Sequence, residues 1–132
     1  MNKHGILVLS QDFRWSHAVR RAAHGVLMGE VRLFIDLEEF LADIEGVDTD
    51  TLLLLDACGQ SKVENVAKRL RELGWQYVVV VAANPSVEEV YAVLHTGSGY
   101  DYWKKTYEVP VIRDNLERYL AETEKILNEE TS

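Results

Sequence analysis

The sequence predicts a doubly wound α/β domain of five β–α units, (βα)5, with a five-stranded parallel sheet between two layers of helices. Five short apolar stretches of strand length recur along the 132 residues, and apolar residues at helical spacing follow each of them. Strands that alternate with helices favour right-handed crossovers, so the strands are parallel and both faces of the sheet are covered. The length suits one domain, and we assign residues 1–128 to it and residues 129–132 to a C-terminal tail or the start of a linker.

The first two units occupy the amino-terminal third of the chain. Residues 6–9 form an unbroken apolar run, which is typical of a strand covered on both faces, and apolar residues at helical spacing continue to Val26. Residues 31–35 have the alternating pattern of a second strand. Asp36 and Glu39 then have the spacing of a capping box, which predicts the start of a second helix.

The third unit ends its strand on an acidic residue. Residues 52–55 are four consecutive leucines, and Asp56 follows them directly. Ser61 and Glu64 have capping-box spacing and predict the start of the third helix, which Gly74 is placed to end. We therefore expect a buried strand with a carboxylate at its carboxyl end.

The fourth and fifth units complete the pattern. Residues 77–81 form the most β-branched run in the chain, and Ser86 with Glu89 predicts the cap of a fourth helix. Residues 100–103 indicate a short fifth strand. Pro110 then lies at a favourable first-turn position for a long final helix.

The composition argues against several classes of function. The 22 acidic residues outnumber the 14 basic ones and give a net charge of −8, which repels phosphate backbones and anionic lipid surfaces. We therefore expect no direct binding to nucleic acid or membrane. A single cysteine, Cys58, cannot form an internal disulfide and fits a reducing compartment. The longest early apolar run, residues 6–9, is too short for a signal peptide core, so the sequence predicts a cytoplasmic protein.

A functional site is expected beyond the carboxyl ends of the strands, where open parallel sheets bind ligands. The first of these loops, residues 10–15, contains no glycine, although a dinucleotide site needs glycine there to let the backbone approach a pyrophosphate. The bulky Phe13, Arg14 and Trp15 in the same loop disfavour a flavin phosphate loop. Nucleotide and flavin binding are therefore not expected.

Asp56 and a lysine near the end of the fifth strand give the sequence its resemblance to a known family. Asp56 closes a buried third strand, and Lys105 follows an aromatic residue, Tyr102, by three positions. This pattern resembles the receiver domains of bacterial response regulators, which have a flavodoxin-like (βα)5 fold. The resemblance implies that Asp56 is the phosphoryl acceptor, Lys105 its charge partner and Tyr102 a switch residue. We expect Asp56 and Lys105 to lie within salt-bridge reach at the same edge of the sheet.

The sequence departs from the pattern of that family at two places, after the first strand and at the end of the fourth. Its members carry an acidic pair after the first strand that helps to hold Mg²⁺, an ion that prefers carboxylate and water oxygens; here that pair is Ser10 and Gln11. Asp12, one position later, should point elsewhere or cap the first helix, so Gln11, Asp12 and Asp56 would form only a weak Mg²⁺ site. The hydroxyl residue that ends the fourth strand in the family corresponds to Ala82, which has no hydroxyl to bond a phosphoryl oxygen.

Several other residues invite a functional interpretation. Tyr91, His95 and Trp103 fall around the fourth helix and fifth strand, the surface that the resemblance implies for partners and dimers, and aromatic residues are enriched at interfaces. For Cys58 we expect a buried small hydrophobe without chemistry, the common state of a single cysteine. The scattered histidines indicate no metal cluster.

The sequence leaves three functions open. The first is a signalling module rather than an enzyme, an atypical receiver (a pseudo-receiver) that acts through protein–protein contacts without phosphorylation. Its partner would be an output domain, a histidine kinase or a second copy of the chain. The second is a working phosphoacceptor of a two-component system, modified on Asp56 and placed at the amino-terminal end of a transcriptional regulator. The third is a small-molecule sensor that uses the same crevice.

Overall fold

The structure, a computed structural model, describes residues 5–26, 29–58, 62–97 and 99–131. Strands and helices alternate through this part of the chain. The strands are β1 (Ile6–Leu9), β2 (Val31–Phe34), β3 (Leu52–Asp56), β4 (Val78–Ala82) and β5 (Asp101–Lys104). The helices are α1 (Phe13–His24), α2 (Leu37–Asp43), α3 (Val63–Glu72), α4 (Val87–His95) and α5 (Val109–Thr131).

The strands form one parallel sheet in the order β2-β1-β3-β4-β5. The chain reverses its direction of winding between β2 and β3, which places β1 and β3 side by side at the centre. In this register Leu9 lies opposite Leu55, so the residues that follow β1 and β3 emerge together at the carboxyl edge. The predicted doubly wound α/β fold is confirmed.

Two apolar cores lie on opposite faces of the sheet, because successive strand side chains alternate between the faces. Ile6 and Val8 belong to the core under α1 and α5, whereas Leu7 and Leu9 belong to the core under α2, α3 and α4. All four residues of β1 are buried. Burial on both faces explains why the central strands read as continuous apolar runs.

Helix caps fix where most of the helices begin. Asp12, Asp36 and Ser86 each accept a backbone N–H bond from the residue three positions later, which confirms the predicted starts of the second and fourth helices. The third helix differs from its prediction: its N-cap is Lys62, which makes no side-chain cap bond. Ser61, the predicted cap, lies outside the described residues.

The final helix is the longest element, with 23 residues. It packs against α1 through Ile112, Leu116 and Tyr119, all of which belong to the same core. Its backbone continues as helix through Thr131, past the boundary at residue 128 that the sequence suggested, and that division stays a prediction. Within the described residues, none of the helices combines the length and apolarity needed to cross a membrane.

Candidate functional site

Asp56 lies at the carboxyl end of β3 and is 1% exposed. Its Oδ2 atom is 3.0 Å from Nζ of Lys105, which follows β5 directly and is itself buried. Because β4 alone separates β3 from β5, a long lysine side chain spans the gap between their ends. The predicted salt-bridge distance between these two residues is confirmed.

Ser10 completes the surroundings of the Asp56 carboxylate. Its hydroxyl donates a hydrogen bond of 2.6 Å to Asp56 Oδ2 and accepts one of 3.0 Å from the backbone N–H of Asp12. The backbone N–H of Cys58 donates to the other oxygen, Oδ1, at 3.0 Å. Both oxygens of Asp56 are therefore bonded inside the protein. The sequence analysis noted only that Ser10 replaces an acidic residue, and it did not predict this contact. The contact could have been expected from the position of Ser10 directly after β1, which neighbours β3 in the sheet.

The two carboxylate oxygens of Asp12 make different contacts. Oδ1 caps α1 by accepting the backbone N–H of Trp15 at 3.1 Å, as expected. The alternative that its carboxylate would point away from the site is wrong, because Oδ2 lies 2.9 Å from Lys105 Nζ and also accepts a hydrogen bond from the Tyr107 hydroxyl. Burial alone would raise the pKa of Asp12, but the hydrogen bonds from Tyr107 and Lys105 outweigh it and lower the pKa to about 2. Asp12 is therefore ionised at neutral pH.

Lys105 connects these groups. Burial by itself lowers the pKa of the ammonium, but its hydrogen bonds to Asp12 and Asp56 are stronger and raise that pKa above its ordinary value. The rings of Trp15 and Tyr107 each have their centroid 5.7 Å from Nζ, within the range of a cation–π contact. Lys105 is therefore a permanently charged group, held by two carboxylates and flanked by two aromatic rings.

These residues do not fit a resident Mg²⁺ ion. Of the three candidate ligands, Gln11 is exposed, while Asp12 and Asp56 are both paired with the Lys105 ammonium. Nowhere in the described part of the chain do three or more His, Cys, Asp or Glu side chains converge as a metal would require. Mg²⁺ favours sites that offer carboxylate and water oxygens, and here a cation already occupies the space between the carboxylates.

The two candidate switch residues lie where the sequence suggested. Ala82 is buried at the end of β4, and its carbonyl accepts the backbone N–H of Lys105 at 2.7 Å; its methyl group offers no hydroxyl toward Asp56. Tyr102 is half-buried, and its hydroxyl donates a bond of 2.8 Å to Glu89 Oε1 of α4. Burial, followed by that bond to Glu89, raises the pKa of Tyr102. The orientation of Tyr102 is therefore set by α4.

The three candidate interface residues separate into two groups. Tyr91 is 61% exposed and stacks on His95, with ring centroids 4.1 Å apart. Trp103, by contrast, is 7% exposed and its indole N–H is bonded to Asp101 Oδ2, so its prediction as an interface residue is wrong. Strand alternation turns Trp103 toward α1 and α5, on the face opposite Tyr102.

Cys58 also differs from its prediction. Its side chain is exposed, not buried, because β3 ends at Asp56 and the chain has already left the sheet. The backbone N–H of Cys58 bonds Asp56 Oδ1, so the contribution of this residue to the site comes from its main chain.

The outer surface of α4 carries an apolar groove of about 370 Å³. Val87, the first residue of α4, is 86% exposed, and Leu94, the residue before its last, is 39% exposed. We call this surface the α4 face; its members are Pro85, Ser86, Val87, Val90, Tyr91, Leu94 and His95.

Comparison with solved structures identifies the fold. The chain superposes on a CheY-like response regulator receiver domain protein from Methanospirillum hungatei JF-1 with a TM-score of 0.76 and 20% identity, covering 94% of this chain and 98% of the other. This is the receiver fold. The response regulator DrrB of Thermotoga maritima, an OmpR/PhoB homologue, gives a TM-score of 0.74 at 19% identity, with coverage of 92% of this chain and 54% of DrrB.

A further structural neighbour is described as an atypical orphan response regulator with a phosphorylation-independent regulatory mechanism. It matches with a TM-score of 0.64 and 18% identity, over 88% of this chain and 94% of the other. No protein-family model and no curated protein sequence matches. The likeness to receiver domains therefore lies in the fold, at identities that leave the chemistry to be argued from the residues.

Proposed function

We propose that this chain is an atypical receiver module of the cytoplasm that signals through protein–protein contacts without phosphorylation. The observation that carries this proposal is the state of Asp56. A phosphoryl acceptor must present a carboxylate oxygen to an anionic donor, but here Oδ2 is bonded by Ser10 and Lys105, and Oδ1 by the Cys58 N–H. The group that would attack is buried, and both of its oxygens already accept hydrogen bonds from the protein.

The end of β4 supports the same proposal. A modification shifts a conformational equilibrium only if it makes different contacts in the two states. Ala82 has no hydroxyl with which to bond a phosphoryl group on Asp56, and Tyr102 is already bonded to Glu89. A phosphoryl group would thus lack a contact through which to move α4. A structural neighbour with this fold is itself described as having a phosphorylation-independent regulatory mechanism, which supports the proposal.

The α4 face is the surface that we assign to the partner. Interface energy concentrates in a few aromatic anchors, and the stacked pair of Tyr91 and His95 provides a rigid exposed one. Val87 and Leu94 extend it with apolar surface. The partner would be an output domain, a kinase or a second copy of the chain.

Phosphorylation is tested directly with a small phosphoryl donor. The protein is incubated with acetyl phosphate and Mg²⁺ and its intact mass is recorded, while beryllium fluoride is titrated in parallel against tryptophan fluorescence. The DrrB receiver domain, which is described in a BeF3-activated form, is the positive control. We expect no mass gain and no fluorescence change here; a phosphoryl adduct that disappears in Asp56→Asn would contradict the proposal.

The surface assignment is tested by affinity. Tyr91→Ala is expected to cost more than ~1 kcal/mol of partner binding, as anchors at interfaces do, whereas Asp56→Asn should cost little. Calorimetry on each variant measures both effects. If Asp56→Asn abolished binding while Tyr91→Ala was silent, the mechanism would have to run through the buried site instead.

The pair of Asp56 and Lys105 favours one alternative, a working phosphoacceptor. The 3.0 Å contact between them provides the acceptor and the positive charge that such chemistry uses. The acetyl phosphate experiment decides between the two functions, because only the alternative yields an adduct on Asp56.

A further inference from the structure

The Lys105 ammonium lies between two carboxylates, that of Asp12 in the loop after β1 and that of Asp56 where β3 passes into its loop. Its Nζ is 2.9 Å from Asp12 Oδ2 and 3.0 Å from Asp56 Oδ2. The two carboxylate oxygens therefore contact the same nitrogen atom and lie close to each other. Its side chain is only 4% exposed. One cation therefore joins the loops that follow β1, β3 and β5, an arrangement that many proteins make with a bound metal ion.

We propose that Lys105 is the built-in cation of this site and that its ammonium, in place of a divalent metal ion, holds these three loops together. A divalent ion would have to enter the space that the ammonium fills and would be repelled by it. Ser10 reinforces the exclusion, because its hydroxyl donates to Asp56 Oδ2 and is itself fixed by the Asp12 N–H.

The same geometry implies a hidden metal site. Lys105→Met removes the charge but keeps an unbranched side chain, and leaves Asp12 and Asp56 facing each other without a cation. Two carboxylates at this separation repel each other and attract a multivalent ion, which takes oxygen ligands. The variant should therefore gain a metal affinity that the natural chain lacks.

Terbium luminescence tests the proposal, because Tb³⁺ takes oxygen ligands and is excited by nearby tryptophan. The Trp15 ring lies 5.7 Å from Lys105 Nζ, so an ion in that position would be sensitised. We expect Lys105→Met to bind Tb³⁺ roughly tenfold or more tightly than the natural chain, since one repelling charge is lost. Its melting temperature should rise with Mg²⁺, whereas that of the natural chain should not.

Lys104→Met is the matched control, because it removes the same charge from an exposed neighbouring residue and should leave Tb³⁺ affinity unchanged. Adding Asp12→Asn to Lys105→Met should abolish the gain. Equal Tb³⁺ affinity in the natural chain and in a folded Lys105→Met variant would overturn the proposal.

The proposal remains testable if Lys105→Met does not fold. Calorimetric titration of the natural chain with Mg²⁺ then decides, since binding at micromolar concentration would overturn it and its absence would support it. No phosphoryl donor or partner is present in these experiments. Their outcome is therefore separate from that of the proposed signalling function.

Discussion

The substitution Asp12→Asn tests the contribution of one of the two carboxylates that pair with Lys105. Asparagine keeps an oxygen that can cap α1 by accepting the Trp15 N–H, but it removes the carboxylate that pairs with Lys105. In the folded protein the hydrogen bonds of Asp12 overcome burial and take its pKa from 3.8 to about 2. Because the folded pKa lies below the unfolded one, the carboxylate contributes stability that is complete above the unfolded pKa and is lost as the pH falls through the folded pKa.

The size of the effect follows from that difference in pKa. One pKa unit corresponds to about 1.4 kcal/mol, so the lowering of the pKa from 3.8 to about 2 would amount to about 2–3 kcal/mol without screening. The Asp12 side chain is 22% exposed, and solvent screening reduces such contributions to roughly 1 kcal/mol. We therefore expect Asp12→Asn to lower the free energy of unfolding by about 1–2 kcal/mol near neutral pH, with the difference shrinking steadily below about pH 4.

Urea denaturation followed by tryptophan fluorescence, repeated across this pH range, measures the difference. Asp43→Asn is the control, because Asp43 pairs with Arg32 at 3.0 Å but its side chain is 73% exposed, and exposed pairs contribute little. A loss of stability in Asp12→Asn that stayed constant with pH would refute the reasoning, since it would come from capping or packing and not from the charge.

Three further substitutions test other parts of the fold by chemical denaturation. Gly5→Ala would place its Cβ 2.3 Å from the carbonyl oxygen of Glu30 and should cost about 1–3 kcal/mol; an unchanged midpoint would show that the backbone yields freely. Tyr102→Phe removes the 2.8 Å bond to Glu89 and should cost about 0.5–1.5 kcal/mol, and the loss should disappear in a Glu89→Gln background if that bond is its source. Ser86→Ala removes the cap of α4 and should cost about 1 kcal/mol, whereas Ser86→Asp should restore it.

The sequence was sufficient for the fold because each central strand is a continuous apolar run between recognisable helix starts. Asp36 and Ser86 were assigned as caps from local spacing alone, and both make the predicted bonds. The proximity of Asp56 and Lys105 followed from topology, since Asp56 ends β3 and Lys105 directly follows β5, and both strands end at the same edge of the sheet.

The wrong predictions concern residues for which the local sequence pattern does not indicate which way the side chain points. Tyr102 and Trp103 are adjacent aromatic residues on an edge strand, so polarity could not indicate which of them faces the core. The exposure of Cys58 depends on the path of a loop. The bond from Ser10 to Asp56 depends on which strands are neighbours, and that information lies in the strand order rather than in the residues around Ser10.

The sharing of one ammonium by two carboxylates also restricts how this chain can change during evolution. Removing one member of a buried ion pair leaves the other as an uncompensated buried charge and typically costs about 3–5 kcal/mol. This is a large part of the stability of an ordinary domain. Lys105 is the member whose loss matters most, because Asp12 and Asp56 would both lose their cation, and a lineage that exchanged it alone would pass through a weakly folded intermediate. Substitutions of Lys105 and of the two carboxylates should therefore be strongly epistatic, so that the three residues are expected to change together rather than one at a time.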